Sequence, residues 1–234
     1  MCTLTFINNA SGVCITSNRD EHVNRGISQF PVHKEINGQQ VTFPQDPVAG
    51  GTWLAASSTQ RIMVLLNGAF EKHKHQPPYR LSRGLVLLDS FKYDSLEPFK
   101  MAYNFQNIEP FTLVHFDLQN QCIEEVRWDE TSPSYTTFNY DSPHIWSSTT
   151  LYNPHTIQQR ETWFREWLRQ PDLDPQDMMD FHHFGGGATH SNSIRMERNS
   201  YLKTVSISQL HQKQHQFSFM HHGLLNDTQI TTHL

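Results

Sequence analysis

The residues able to do chemistry gather at the start of this sequence. Met1-Cys2-Thr3 opens a short apolar segment, and Ser17-Asn18-Arg19-Asp20-Glu21 closes a second one. If the methionine is removed, Cys2 becomes the first residue and carries a free α-amino group beside its thiol. A thiolate is a strong nucleophile, yet a thiol of ordinary pKa near 8.5 is little ionised at neutral pH. An α-amine titrates at roughly 7.7 to 8.0 in the reference state, which suits it to act as general base for its own thiol. Arg19 would lower the thiol pKa or hold a substrate carboxylate, and Asp20 would accept hydrogen bonds from the ammonium and orient it. A tetrahedral oxyanion needs donors, and Asn67, after the apolar run 62–66, is the candidate. Each group also has an ordinary reading: a buried cysteine, a solvated charge cluster, an Asn67-Gly68 turn.

These groups need elements to position them. Segments 2–7 and 12–17 alternate around the turn residues 8–12 and predict a hairpin, with Cys2, Leu4 and Phe6 on one face and Thr3, Thr5 and Ile7 on the other. The hairpin would return Arg19 and Asp20 to the terminus. Being adjacent, the two should leave a strand in opposite directions unless a bulge intervenes. Residues 21–47, punctuated by Pro31, Gly38, Pro44 and Pro47, read as loop with room for one short hairpin. Runs 49–56 and 62–66 predict two paired strands, with Asn67 at a strand end facing a cleft. Ser82 is the expected cap of a helix through Phe91, and Leu96, Phe99 and Tyr103 follow at helical spacing. Segments 111–117 and 122–128 flank a four-residue turn as a second hairpin, and 135–148 reads as extended chain interrupted by Pro143. Asn153-Pro154 starts the clearest helix, striped by Ile157, Phe164, Trp167 and Leu168, and Asp174-Pro175 with Asp177 starts a short one. Gly185-Gly186-Gly187 opens an irregular stretch, and 201–210 with 216–221 form a closing strand pair. Strands and helix pairs without strict alternation predict an α+β fold with mainly antiparallel sheets. A four-layer αββα arrangement, two stacked sheets with helices outside, accommodates the count.

The 234 residues are expected to form one domain over 1–234, large enough for a sizeable core. A hydrophobic fraction of 36% with 18% charged residues is a folded composition. The net charge of −5 leaves no electrostatic footprint for nucleic acid, so a small-molecule substrate or ligand is the expected partner. No apolar run approaches eighteen residues and no charged leader precedes one, so no membrane span or signal peptide is expected and the cytoplasm is the default location. Cys2, Cys14 and Cys122 are too scattered for a disulfide framework, and Cys14 and Cys122 read as core residues. Fifteen histidines raise a metal or haem site, notably His182-His183 with His190, His73 with His75, and His221-His222. None shows metal-ligand spacing, so surface histidines, no metal site and no cofactor are expected.

At Met1-Cys2, Ser17-Asn18-Arg19-Asp20-Glu21, Gly50-Gly51-Thr52-Trp53-Leu54, Leu66-Asn67 and Ser82-Arg83-Gly84-Leu85 the sequence resembles the NRDE family, also called the transport and Golgi organisation protein 2 family. The motifs follow the family's order as far as Leu85, and the later chain matches loosely. The resemblance implies an N-terminal nucleophile hydrolase-like fold of αββα layers, similar to choloylglycine hydrolases and penicillin V acylases. Those enzymes cleave linear amides with an N-terminal cysteine, assisted by an arginine and an aspartate near the end of the second strand. By that motif Cys2, Arg19 and Asp20 take those roles and Asn67 the oxyanion role, with Asn18, Trp53 and Arg198 as candidate substrate-binding residues. The chain departs from the pattern at three places. Arg19 and Asp20 are adjacent rather than two residues apart. Ser147-Ser148-Thr149 replaces the usual Ser-Asn pair ahead of the long helix. A longer stretch over 185–203, with Arg195 and Arg198 as candidate counterparts, replaces a compact Gly-Thr-Arg segment. Some members are linked to secretory organisation and to haem or lipid handling. Two functions therefore stand side by side: an N-terminal-cysteine hydrolase of a small linear amide or related acyl compound, and a non-catalytic binding or trafficking protein for haem or another hydrophobic small molecule.

Overall fold

A computed structural model describes every residue except Met1, Cys2, Ala188, Thr189, His190 and His215. The first hairpin forms from β1 (Thr3–Asn9) and β2 (Gly12–His22), in antiparallel register from Thr3 opposite Asn18 to Asn9 opposite Gly12. β2 runs well past Ser17, through Asn18, Arg19 and Asp20, and all four residues are buried. Polar side chains buried on both faces of a strand leave no hydrophobic alternation to read. β3 (Gln29–Ile36) and β4 (Gln39–Gln45) occupy much of the expected loop. Their turn is Asn37-Gly38, with φ of 51° and 71°, the doubly positive pair that tight hairpins require. Pro31 is tolerated because β3 is an edge strand.

β5 (Leu54–Ser57) and β6 (Arg61–Asn67) pair as expected, then α1 (Arg83–Ser90) and α2 (Leu96–Ala102) follow. Ser82 stands at the cap position of α1 but makes no side-chain cap bond. β7 (Phe111–Asp117) and β8 (Cys122–Trp128) match the expected hairpin residue for residue. β9 (Pro133–Phe138) and β10 (His144–Ser147) divide the next extended stretch between two sheets. α3 (Pro154–Trp167) is capped by Asn153, whose Oδ1 accepts the Thr156 N–H at 2.9 Å. At the start of α4 (Pro175–Phe184), Asp174 and Asp177 each accept the other's backbone N–H. β11 (Leu202–Lys213) and β12 (Gln216–Gly223) form the closing pair, and β13 (Thr228–His233), mostly exposed and poor in apolar residues, adds an edge strand that alternation does not announce.

Two compact units result, residues 1–27 with 141–234 and residues 28–140. The first carries a six-stranded antiparallel sheet in the order β10-β1-β2-β11-β12-β13. α3 and α4 cover one face, where Ile7 and Cys14 pack with Phe164, Met178, Phe181 and Ile194. Each such fully buried aliphatic or phenyl side chain contributes roughly 1.5–3 kcal/mol. Thr3, Thr5 and Ile7 therefore face the helices, while Leu4 and Phe6, equally buried, face the other way.

The second unit is a seven-stranded antiparallel meander, β3 to β9 in sequence order. Val86, Leu87, Phe91, Leu96 and Phe99, from α1, α2 and the turn between them, pack on Met63, Leu65, Leu113 and Val126. Two of the glycine motifs meet here. A Cβ on Gly84 would stand 2.7 Å from the Thr52 carbonyl oxygen, and one on Gly51 would stand 2.6 Å from the Gly84 carbonyl carbon. The Gly51-Thr52 and Arg83-Gly84 segments are thus two sides of one backbone contact, open only to glycine. No described helix is long and apolar enough to cross a membrane.

Candidate functional site

Cys2 lies outside the described residues, but Thr3, the residue bonded to it, has a defined place. It pairs with Asn18 of β2 on one side and with Ser147 of β10 on the other. One and two residues further along β2 come Arg19 and Asp20, 4% and 3% exposed. On the neighbouring strand Asp20 stands opposite Thr204 and Arg19 opposite Ser206, so Val205 is an extra residue, a β-bulge. The bulge belongs to β11 and leaves β2 regular. Arg19 and Asp20 accordingly leave opposite faces of the sheet, and the bulge lets Thr204 follow Asp20 while Ser206 follows Arg19.

On the helix face Asp20 is firmly held. Its Oδ2 accepts the Tyr152 hydroxyl at 2.7 Å and its Oδ1 accepts the Thr204 hydroxyl at 2.5 Å. Thr204 Oγ1 accepts in turn from the Met196 N–H at 2.9 Å. The Arg160 guanidinium lies 3.6 Å from the centre of the Tyr152 ring. Arg160 is fully buried and donates to Thr3 Oγ1 at 2.5 Å, to the Asn192 carbonyl at 3.1 Å and to the Ser193 carbonyl. A cation on α3 and a carboxylate on β2 are thereby joined through one tyrosine. Arg198 lies on this side as well, donating to the Leu151 and Ser191 carbonyls with its guanidinium 5.1 Å from the Tyr152 ring. A cavity of about 390 Å³ abuts Thr204, lined also by Phe184, Ser193, Arg195, Met196 and Lys203.

Asn18 shares the helix face. Its amide nitrogen donates to the His182 and Ile194 carbonyls at 3.1 and 2.9 Å, which leaves Oδ1 to accept from His182 Nδ1 at 2.8 Å. That assigns the proton to Nδ1, and Nε2 accepts the Thr5 hydroxyl at 2.8 Å. All of these contacts are internal, so Asn18 clamps β2 to α4.

On the opposite face, Ser17 Oγ donates to the Thr3 carbonyl at 3.2 Å, and Ser208 Oγ meets His221 Nδ1 at 2.8 Å. Arg19 Nη2 is 3.9 Å from Glu21 Oε2. Trp53 and Asn67 belong to the 28–140 unit, Trp53 buried just before β5 and Asn67 half-buried at the end of β6 opposite Phe111.

The expectation of surface histidines fails at His182 and His221, both buried in the hydrogen bonds just described. Single-residue composition does not reveal that a serine or asparagine elsewhere will satisfy a buried imidazole. His222, next to His221 on the strand, points the other way and meets Asp227 at 3.0 Å. His73 and His75 both reach Glu109 Oε1 at 3.0 Å, and His190 lies outside the described residues. Sequence reasoning also missed Tyr152, Arg160, Thr204, Ser206 and Ser208. The hydroxyls at 204, 206 and 208, recurring at strand period, were the available signal.

Burial, reinforced by the charges of His183 and Arg160, pushes His182 down to about 3, and burial with the charges of Arg19 and His222 pushes His221 down to about 4. A folded pKa below the unfolded value means that the unfolded chain takes up these protons first. The stability they contribute is whole above about pH 6.5 and is lost as pH falls from there toward 4, with a slope of up to about 2.7 kcal/mol per pH unit for the pair. Thermal midpoints measured between pH 7 and 4.5 should fall steeply, and His221→Gln should flatten that profile. An equally steep profile in the variant would count against the assignment for His221.

The solved structures similar to this chain define its fold. A cysteine-to-alanine variant of conjugated bile acid hydrolase from Clostridium perfringens matches with a TM-score of 0.63 and 12% identity, covering 100% of this chain and 92% of that one. An arginine-to-leucine variant of the same hydrolase matches with a TM-score of 0.62 and 12% identity, covering 99% and 92%. The N-acylethanolamine-hydrolyzing acid amidase ortholog of Caenorhabditis elegans matches with a TM-score of 0.61 and 11% identity, covering 89% and 92%. The chain shares their N-terminal nucleophile hydrolase-like fold. Residues 1–226 match the family described as Transport and Golgi organisation 2, and the chain belongs to that family. No curated protein sequence matches it.

Proposed function

We propose that the chain is an N-terminal-cysteine hydrolase of a small linear amide or related acyl compound. The observation that carries this reading is the buried Arg19 one residue beyond the Thr3–Asn18 pair, on the strand next to the one that Cys2 leads into. Support also comes from the fold shared with a bile acid hydrolase and an acid amidase, the former solved with the cysteine at its second position replaced. With Met1 removed, the Cys2 thiol gives its proton to its own α-amine and the sulfur attacks the carbonyl carbon. The ammonium returns that proton to the nitrogen of the breaking C–N bond, and the amine product leaves. Water then attacks the thioester, gives a proton to the α-amine, and releases the acid with the thiol restored. Asp20 acts here as a positioning residue: held by Tyr152 and Thr204, it fixes the end of β2 that carries Arg19.

Alkylation tests the reading through the competing thiols. Burial pushes the Cys14 thiol up to about 12, and burial followed by the carboxylates of Glu124 and Asp117 raises that of Cys122. Iodoacetamide at neutral pH should therefore modify Cys2 far faster than either. Equal rates at the three cysteines, or no turnover across a panel of amides and thioesters, would sink the hydrolase reading.

A further inference from the structure

Three serines lie on the face of the six-stranded sheet that carries Arg19, and they differ in one respect. Ser17 donates to the Thr3 carbonyl and Ser208 is paired with His221, but the Ser206 hydroxyl is buried with no hydrogen-bond partner among the described residues. A buried hydroxyl without a partner costs free energy, and native structures keep few of them. Ser206 is 2% exposed, stands directly opposite Arg19, and shares the face of Ser208 by strand alternation, while the bulge at Val205 just before it re-aims Thr204 to the other face. Bulges that re-aim a side chain are a recurrent feature beside active sites.

The groups around Ser206 indicate what it would bind. Arg19 brings a fixed positive charge, buried on the same face. His221 is already engaged at Nδ1 by Ser208. Glu21, 3.9 Å from Arg19, is partly exposed and also lies 3.7 Å from Arg25. A hydroxyl donor beside a buried guanidinium is complementary to an anionic oxygen. In so dry a place the desolvation cost is met by the fold itself, so the bond to a ligand is strong.

Building on the hydrolase reading, we infer that Ser206 and Arg19 together form a subsite for a carboxylate on the substrate, with Ser206 donating to one of its oxygens. The substrate is then an acyl compound that carries a carboxylate near the scissile bond. Ser206 is a substrate-positioning residue, and its unsatisfied hydroxyl makes it a local cost to stability.

The test compares the unmodified chain with Ser206→Ala and Ser208→Ala. Thermal midpoints are measured alongside rates of Cys2 alkylation by iodoacetate, which carries a carboxylate, and by iodoacetamide, which does not. Ser206→Ala should keep or raise the midpoint while lowering the iodoacetate-to-iodoacetamide rate ratio at Cys2 about tenfold, the worth of one hydrogen bond to a charged oxygen. Ser208→Ala, which breaks an existing bond, should lower the midpoint and leave the ratio within about twofold, because its partner is internal. A midpoint lowered by Ser206→Ala would make the serine an ordinary structural donor and overturn the inference. So would an unchanged ratio at a fast-reacting Cys2, with the hydrolase reading left standing. A Cys2 no faster than Cys14 and Cys122 in the unmodified chain would overturn both.

Discussion

Arg160→Ala should lower the thermal midpoint by on the order of 10 °C, the cost of about 3–5 kcal/mol for emptying a buried charged position in a chain where 1 kcal/mol moves the midpoint roughly 2–4 °C. Arg160 is fully buried on α3, and its guanidinium binds Thr3 Oγ1, two backbone carbonyls and the face of Tyr152. Alanine removes the donors that Arg160 gives to those three oxygens and opens a void above the Tyr152 ring. It also removes the cation that lies 3.6 Å from the centre of the Tyr152 ring. Arg160→Lys keeps the charge but has no planar fork to serve Thr3, Asn192 and Ser193 at once, so it should recover less than half of the loss. A midpoint within about 2 °C of the unmodified chain for Arg160→Ala would mean that the network holds nothing together. The effect should reach the terminus, because Thr3 is bonded to Cys2: iodoacetamide should modify Cys2 more slowly in the variant even at temperatures where it stays folded.

Cys2→Ala should abolish hydrolysis of any amide or thioester that the unmodified chain turns over, a loss of roughly four orders of magnitude or more if the thiol is the nucleophile. Neither competing thiol is suited to take over: Cys14 is buried under the helices with its pKa pushed up to about 12, and burial with the carboxylates of Glu124 and Asp117 raises that of Cys122. The midpoint of the variant serves as the control and should stay close to that of the unmodified chain. A second comparison isolates the α-amine. Intact mass separates chains that keep Met1 from those that have lost it, and a Met1-retaining preparation should turn over as poorly as Cys2→Ala, because its Cys2 nitrogen is an amide with no basic lone pair. Turnover unaffected by Cys2→Ala would dispose of the mechanism outright.

What could be read in advance depended on how local its cause is. The β7–β8 hairpin appears residue for residue, because alternation and a four-residue turn specify it within eighteen positions. α3 and α4 begin where Asn153-Pro154 and Asp174-Pro175 announce them, since a cap is a bond between residues three apart. The glycine motifs were legible as motifs, although their reason, the close approach of Gly51 and Gly84, belongs to the fold. The Asn37-Gly38 turn is equally local, but the neighbouring prolines make 21–47 read as loop with room for only one short hairpin, whereas an edge strand accepts Pro31.

The first twenty residues show where local reasoning ends. By itself the sequence determined that Cys2 leads into a strand, that a hairpin returns the chain to it, and that adjacent Arg19 and Asp20 diverge unless a bulge intervenes. Only the tertiary structure decided which residue faces which way. The partners that decide it, Tyr152, Arg160, Thr204 and Ser206, lie more than 130 positions downstream. The bulge at Val205 assigns Thr204 to the aspartate and Ser206 to the arginine, and a bulge is a property of two paired strands that neither strand carries alone.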